Sequence, residues 1–360
     1  MAGSSCTTCT DGRVLSASFS CTECPDTWLV VLLVLFAAGL GLVALAYFVQ
    51  DARKEEAATS LTVLVKIAVS FFQFNAMGLS FQFDWTESVT SLLSTHDAVT
   101  SFGTAYFELA CLTGTQSFLA ETLVFAIGPL LVVGAAAMLL YALGRPELAI
   151  GKTVAMVVCY LLQPTLAQRA MLVFSCVRLG AGPEQFYLTS DLDVRCWSDE
   201  HMTLVLLLGV PMLLVYVCGI PLLLLLLLRR NQRWIKDATG PDPQGAVFRQ
   251  NYSFLWQGYQ LTGSARYLWE VVVVCRKSGL LMIAVFFAFN VHAQALFGFV
   301  AVVAALLLHA RVFPFAKRYW NYLELLSLIC TVHLFVCSFG AFLPFSLFVC
   351  VLIQLLMLTI

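Results

Sequence analysis

Charge is scarce in this chain. Only 11% of its 360 residues are Asp, Glu, Lys or Arg, while 60% are apolar. The mean hydropathy is +0.88. A soluble domain of this size needs far more polar surface, so that class is excluded. With 20 basic against 21 acidic residues, the chain also lacks the basic surplus of a nucleic-acid binder. Catalytic signatures are missing too. The longest polar connection, 229–266, is turn-rich and holds no GxxxxGK[ST] or HExxH. His201, His292, His309 and His333 are scattered, and His96 falls in an expected loop. None has ligand spacing. No enzyme activity, cofactor or metal site is expected.

What fills the chain instead is long apolar runs. A bilayer core about 30 Å thick needs about 20 mostly apolar residues per spanning helix. About nine such stretches occur, near 28–48, 60–81, 118–143, 150–175, 202–228, 269–289, 293–308, 321–340 and 344–360. The expected fold class is all-α, a polytopic membrane helical bundle. A Cys-rich stub occupies 1–27 and the multi-span domain 28–360. The inner loop is 229–266 and the outer loops are 82–117 and 176–201. The first stretch lacks a basic n-region before it, so it reads as a reverse anchor, not a cleaved signal peptide. The alternative is an upstream signal outside this sequence. The last stretch runs to the final residue, as in a fragment.

Orientation follows from Lys and Arg at the span ends. With the N-terminus outside, 16 of the 20 basic residues fall at inner ends and loops. Arg13, Arg178 and Arg195 are outside, and Arg169 is mid-span. An odd number of spans then gives N-out and C-in. The outer connections are acidic, for example at Asp191, Asp193, Asp199 and Glu200. Such a field concentrates cations at an outer vestibule.

Seven of the thirteen cysteines lie outside by this topology. Cys6, Cys9, Cys21 and Cys24 form two CxxC pairs. Four thiolates suit zinc, but an oxidising exterior favours disulfides, and three connectivities remain open. Cys176 and Cys196 bracket one outer loop and are a candidate bridge; two unpaired thiols are the alternative. Cys111 is left over outside.

Ionisable groups within spans are functional candidates, because burying them is costly unless they pair or snorkel. Lys66 sits about two turns into the second stretch and Glu324 one turn into the eighth. A sixth span starting after Lys277 would reach Asn290 in about 20 Å, too short to cross. The helix must therefore include 269–274. Glu270 and Lys277, seven apart, share one face. Lys66, Glu270, Arg276, Lys277 and Glu324 are expected to form a polar cluster in the inner third. One reading is a crevice for anionic lipid head groups, or a gate. The other is snorkelling cations with one structural ion pair. Arg169 has no evident partner; Glu121 and Glu108 are candidates.

Several phrases occur in order. They are Lys66…Gln73…Trp85, then Cys176…Tyr187-Leu188…Asp191…Cys196, then Gly219-Ile220-Pro221. Phe254-Leu255…Tyr259, Trp269-Glu270…Arg276-Lys277 and Phe313-Pro314-Phe315 follow. In this order they resemble the TRP-like or polycystin-like membrane module of large protist and algal surface proteins. In those proteins EGF-like or ephrin-receptor-like Cys repeats precede the module. The resemblance covers about residues 5–340. It implies a cation channel or channel-like sensor in the plasma membrane, with residues 6–24 as the stub of the last Cys repeat. The link at 340–344 is too short for a pore helix. A secondary transporter with Pro-broken spans at Gln163-Pro164 and 209–211 is an alternative. A non-conducting receptor or scaffold is another. Expected partners are the bilayer, anionic lipid head groups and further copies of the chain.

Overall fold

The computed structural model describes residues 13–15, 21–23, 26, 28, 31, 32, 39, 60–83, 85–100, 118–142, 148–178, 185–237, 242–261 and 265–338. Most of the expected first span, the last span, the 340–344 link, and Cys6, Cys9, Cys24 and Cys111 lie outside these residues. So do Glu108 and the side chain of Glu121.

Helices stand at the other seven expected stretches. They are α1 (Ser60–Ala76), α3 (Phe118–Ala142), α4 (Leu148–Leu172), α5 (Asp199–Arg230), α7 (Trp269–Phe286), α8 (Val291–Val312) and α9 (Arg318–Ser338). Shorter helices lie between them, namely α2 (Glu87–Thr100), the short turn of helix Gln232–Lys236, and α6 (Pro243–Tyr252). Among the described residues, five helical segments are long and apolar enough to cross a membrane: Leu61–Ser80, Phe118–Ala135, Asp199–Arg230, Val291–Val312 and Arg318–Val336.

Local chemistry explains the boundaries. At α5, the Ser198 hydroxyl accepts from the His201 N–H at 3.3 Å, and Asp199 and Glu200 occupy the first turn. Arg229 and Arg230 occupy its last turn. Both ends thus suit the helix dipole. Pro211 and Pro221 do not break α5. Each follows a π-helical stretch, Val205–Gly209 and Leu213–Gly219, whose wider turns accommodate the missing proline N–H. Asn290 caps α8, its Oδ1 accepting from the Ala293 N–H at 3.1 Å. Phe313, left-handed at φ 44°, and the following Pro314 end that helix.

The central helix is α7. It packs against α4, α5, α8 and the 3-10 turn Met77–Ser80 that ends α1. Leu280, Leu281 and Ala284 of α7 share a core with Ala167 and Met171 of α4, Val302 of α8 and Phe335 of α9. The periphery is the reverse of a soluble protein. Leu206, Leu207 and Leu214 on α5, and Leu130 and Met138 on α3, are exposed by more than half. Contiguous apolar faces of this kind are stable against hydrocarbon, not water.

Two parts of the expected outer loops carry regular structure. In 82–117, α2 folds back along α1. Leu93 is fully buried there, and the His96 ring lies 5.5 Å and 5.1 Å from Phe71 and Phe72. His96 therefore sits in a helix and not in a loop. At 14 residues, about 21 Å, α2 is too short to cross. In 176–201, an antiparallel sheet of order β3-β4-β5 forms from β3 (Cys176–Arg178), β4 (Phe186–Leu188) and β5 (Asp191–Arg195). Cys176 and Cys196 are disulfide-bonded. Leu188 and Cys196 pack on Phe118, Val173 and Val205, which anchors the sheet to α3, α4 and α5. In the N-terminal stub, β1 (Arg13–Leu15) pairs antiparallel with β2 (Cys21–Glu23).

Candidate functional site

At the end of the bundle opposite this sheet, the connection between α5 and α7 folds inward. Gly258 makes the decisive bend at φ +86°, and a Cβ there would lie 2.6 Å from Val63 Cγ2. Only glycine fits both the backbone and the space. The Gln260 N–H then donates to Pro314 O, and the Ala316 N–H to Gly258 O, both at 2.9 Å. Asn321 fixes the α8–α9 turn from its other side. Its Oδ1 accepts from Phe315 N–H and its Nδ2 donates to Phe315 O, each at 2.9 Å. The stretches Phe254–Tyr259 and Phe313–Phe315, far apart in sequence, thus meet over α1 and α7.

This places Tyr259 above the first turn of α7. Glu270 Oε2 there receives two donors, Lys66 Nζ at 2.6 Å and the Tyr259 hydroxyl at 2.9 Å. Burial, then the Glu270 charge, pushes the Tyr259 hydroxyl well above its ordinary pKa, so it remains a donor. Lys66 also donates to Phe254 O at 3.1 Å and faces the Tyr259 ring at 4.5 Å. Two turns further along α7, Arg276 Nη2 lies 2.5 Å from Glu324 Oε1 of α9 and donates to Ser70 Oγ at 3.0 Å. Lys277 donates to Gln73 Oε1 at 2.8 Å, and Gln73 Nε2 donates to Leu161 O of α4 at 2.8 Å.

The five expected residues therefore fall into three neighbouring sets of contacts, Lys66–Glu270–Tyr259, Arg276 with Glu324 and Ser70, and Lys277–Gln73, which link α1, α7 and α9 and, through Gln73, α4. Lys66, Glu270, Lys277 and Glu324 are each no more than 3% exposed. The cations do not snorkel; they point inward. The pairing differs from one based on Glu270 and Lys277 sharing a face. Seven residues set those two about 10 Å apart along the helix axis, and neighbouring helices supply nearer partners. Arg169 stacks on Phe125 at 4.6 Å.

Ser70 has no role in the sequence reading, and Gln73 and Tyr259 enter it only as residues of the resemblance. A signal for two of them was present. Lys66, Ser70 and Gln73 recur at i, i+4 and i+7, which puts them on one stripe of α1. Of the three basic side chains, Lys277 is the one whose hydrogen-bond acceptor is an amide oxygen and not a carboxylate, and the Tyr160 ring lies 5.4 Å away.

Compared with known proteins, the chain matches no family model, no curated protein and no solved structure.

Proposed function

We propose that the chain is a polytopic integral membrane protein, N-out and C-in with about nine spans, that works as a gated conduit for cations or a channel-like sensor. The charged network is its gate in the closed state. One observation carries this reading: ion pairs tie α1 to α7 and α7 to α9 in the bundle interior, and the α5–α7 connection sits directly on the first of them. An isolated charge at mid-bilayer costs about 2.5–3.5 kcal/mol. On this reading the five together have two arrangements, paired and hydrated, which is what a gate requires. The resemblance to the TRP-like module and the basic bias of the connection 229–266 support the class and the orientation. The exposed apolar faces of α3 and α5 support the bilayer as partner.

The test is ion flux from liposomes containing the purified chain, with cation and anion gradients compared. Cation flux that rises when Glu324→Gln breaks the pair with Arg276 supports the conduit. Folded protein that passes no ion in either form contradicts it.

A transporter is the second reading, favoured by a cavity towards the opposite end of the bundle that Gln73 helps to line. Saturable solute uptake in the same liposomes distinguishes it.

A further inference from the structure

At the end that carries the β3–β5 sheet, a cavity of about 360 Å³ lies among α1, α2, α3, α4 and α7. That volume is at the lower end of small-molecule sites. Much of its wall is apolar, with Met77, Phe125 and Leu281 among its residues. Two opposite charges stand in it, Asp97 from α2 and Arg169 from α4. The Phe125 ring, stacked on the Arg169 guanidinium at 4.6 Å, holds that planar donor in place. Thr165 also lines the cavity, four residues before Arg169 and so on the same face of α4.

We infer that this cavity binds a small zwitterionic solute of the α-amino-acid type. The solute carboxylate meets the Arg169 guanidinium, its ammonium meets the Asp97 carboxylate, and its side chain lies on the apolar wall. A purely anionic solute would bring its charge against Asp97, and a purely cationic one against Arg169; a zwitterion satisfies both. Asp97 and Arg169 also engage other groups of the chain, so the solute exchanges those contacts for its own. Gln73 connects the site to the charged network, because its Oε1 accepts the Lys277 ammonium. A solute that draws on Gln73 competes with Lys277. The role of this solute as a signal rests on the gate reading, whereas its binding does not.

The experiment is calorimetric titration of the full chain in detergent with the common L-amino acids, then with N-acetylated and amidated forms of the tightest binder. We expect saturable binding of at least one amino acid, weakened at least about tenfold, or 1.4 kcal/mol, by blocking either end. Arg169→Gln should remove the preference for a free carboxylate, and Asp97→Asn the preference for a free ammonium. Ser190→Trp, at an exposed turn on the cavity rim, should abolish binding without touching either charge; it guards against variants that misfold. No saturation by any amino acid up to about 10 mM overturns the proposal. So does equal binding of the blocked forms, or undiminished binding to folded Ser190→Trp protein. Binding without ion flux would leave the site standing and remove the conduit; flux without binding would do the reverse.

Discussion

Lys66 Nζ and Glu270 Oε2 lie 2.6 Å apart, with both side chains no more than 3% exposed. Neither charge has water to fall back on, so losing one leaves the other buried and uncompensated. Lys66→Met should destabilise the bundle by about 3–5 kcal/mol, read as a loss of thermal stability in detergent. The double variant Lys66→Met with Glu270→Gln should recover most of that loss, since the glutamine amide oxygen still accepts from Tyr259. A double variant as unstable as the single one would show that packing, not charge pairing, governs the site.

Gly258 is held at φ +86° with Val63 against it. Gly258→Ala should cost about 1–3 kcal/mol of stability from backbone strain, with a steric part added. Val63→Ala in the same chain should restore only the steric part. Full rescue would mean the backbone at this bend is not constrained. Because the bend places Tyr259 on Glu270, loss of Gly258 should also loosen the charged network, seen as faster proteolysis at Phe254–Tyr259.

The Cys176–Cys196 bond closes a loop with a sequence separation of 20. Its removal by Cys176→Ser with Cys196→Ser should cost about 3 kcal/mol, measured by thermal unfolding. Quantitative thiol labelling of native, unreduced protein at both positions would contradict the bond.

Asp242 caps α6, accepting from the Gln244 N–H at 3.0 Å and the Trp234 indole N–H at 2.9 Å. These donors, the backbone one first, hold its pKa below the ordinary 3.8. A depressed carboxylate contributes stability that is present above the unfolded value and lost as pH falls through the folded one. The α6 cap should therefore persist at pH 5 and weaken only below about pH 4, followed by Trp234 fluorescence. Asp242→Ala should remove that pH dependence.

Much of the bundle was legible because bilayer-length apolar runs have few alternatives to helix, and α1, α3, α4, α5, α7, α8 and α9 stand where such runs occur. The polar cluster was legible for a related reason: charge is so rare in these segments that each one needs a partner. The pairing was not legible, since it depends on how α1 and α9 pack around α7 and on the Gly258 bend. Neither leaves a periodic mark in sequence. The α2 helix was missed because Glu87–Thr100 is polar and short; Leu93 and His96 are buried only once α1 is beside them. The Cys176–Cys196 bridge was one of two open readings, and the β3–β5 register brings its ends together.

The central claim is that the Arg276–Glu324 pair helps hold a conduit closed. The direct measurement is cation flux into liposomes for Arg276→Glu, Glu324→Arg and the two combined. The account predicts that each single variant leaks, because like charges then face each other at the 2.5 Å contact. It predicts that the exchanged pair closes again. Single variants that fold and stay as impermeable as the parent chain would contradict it, as would an exchanged pair that leaks as much as either.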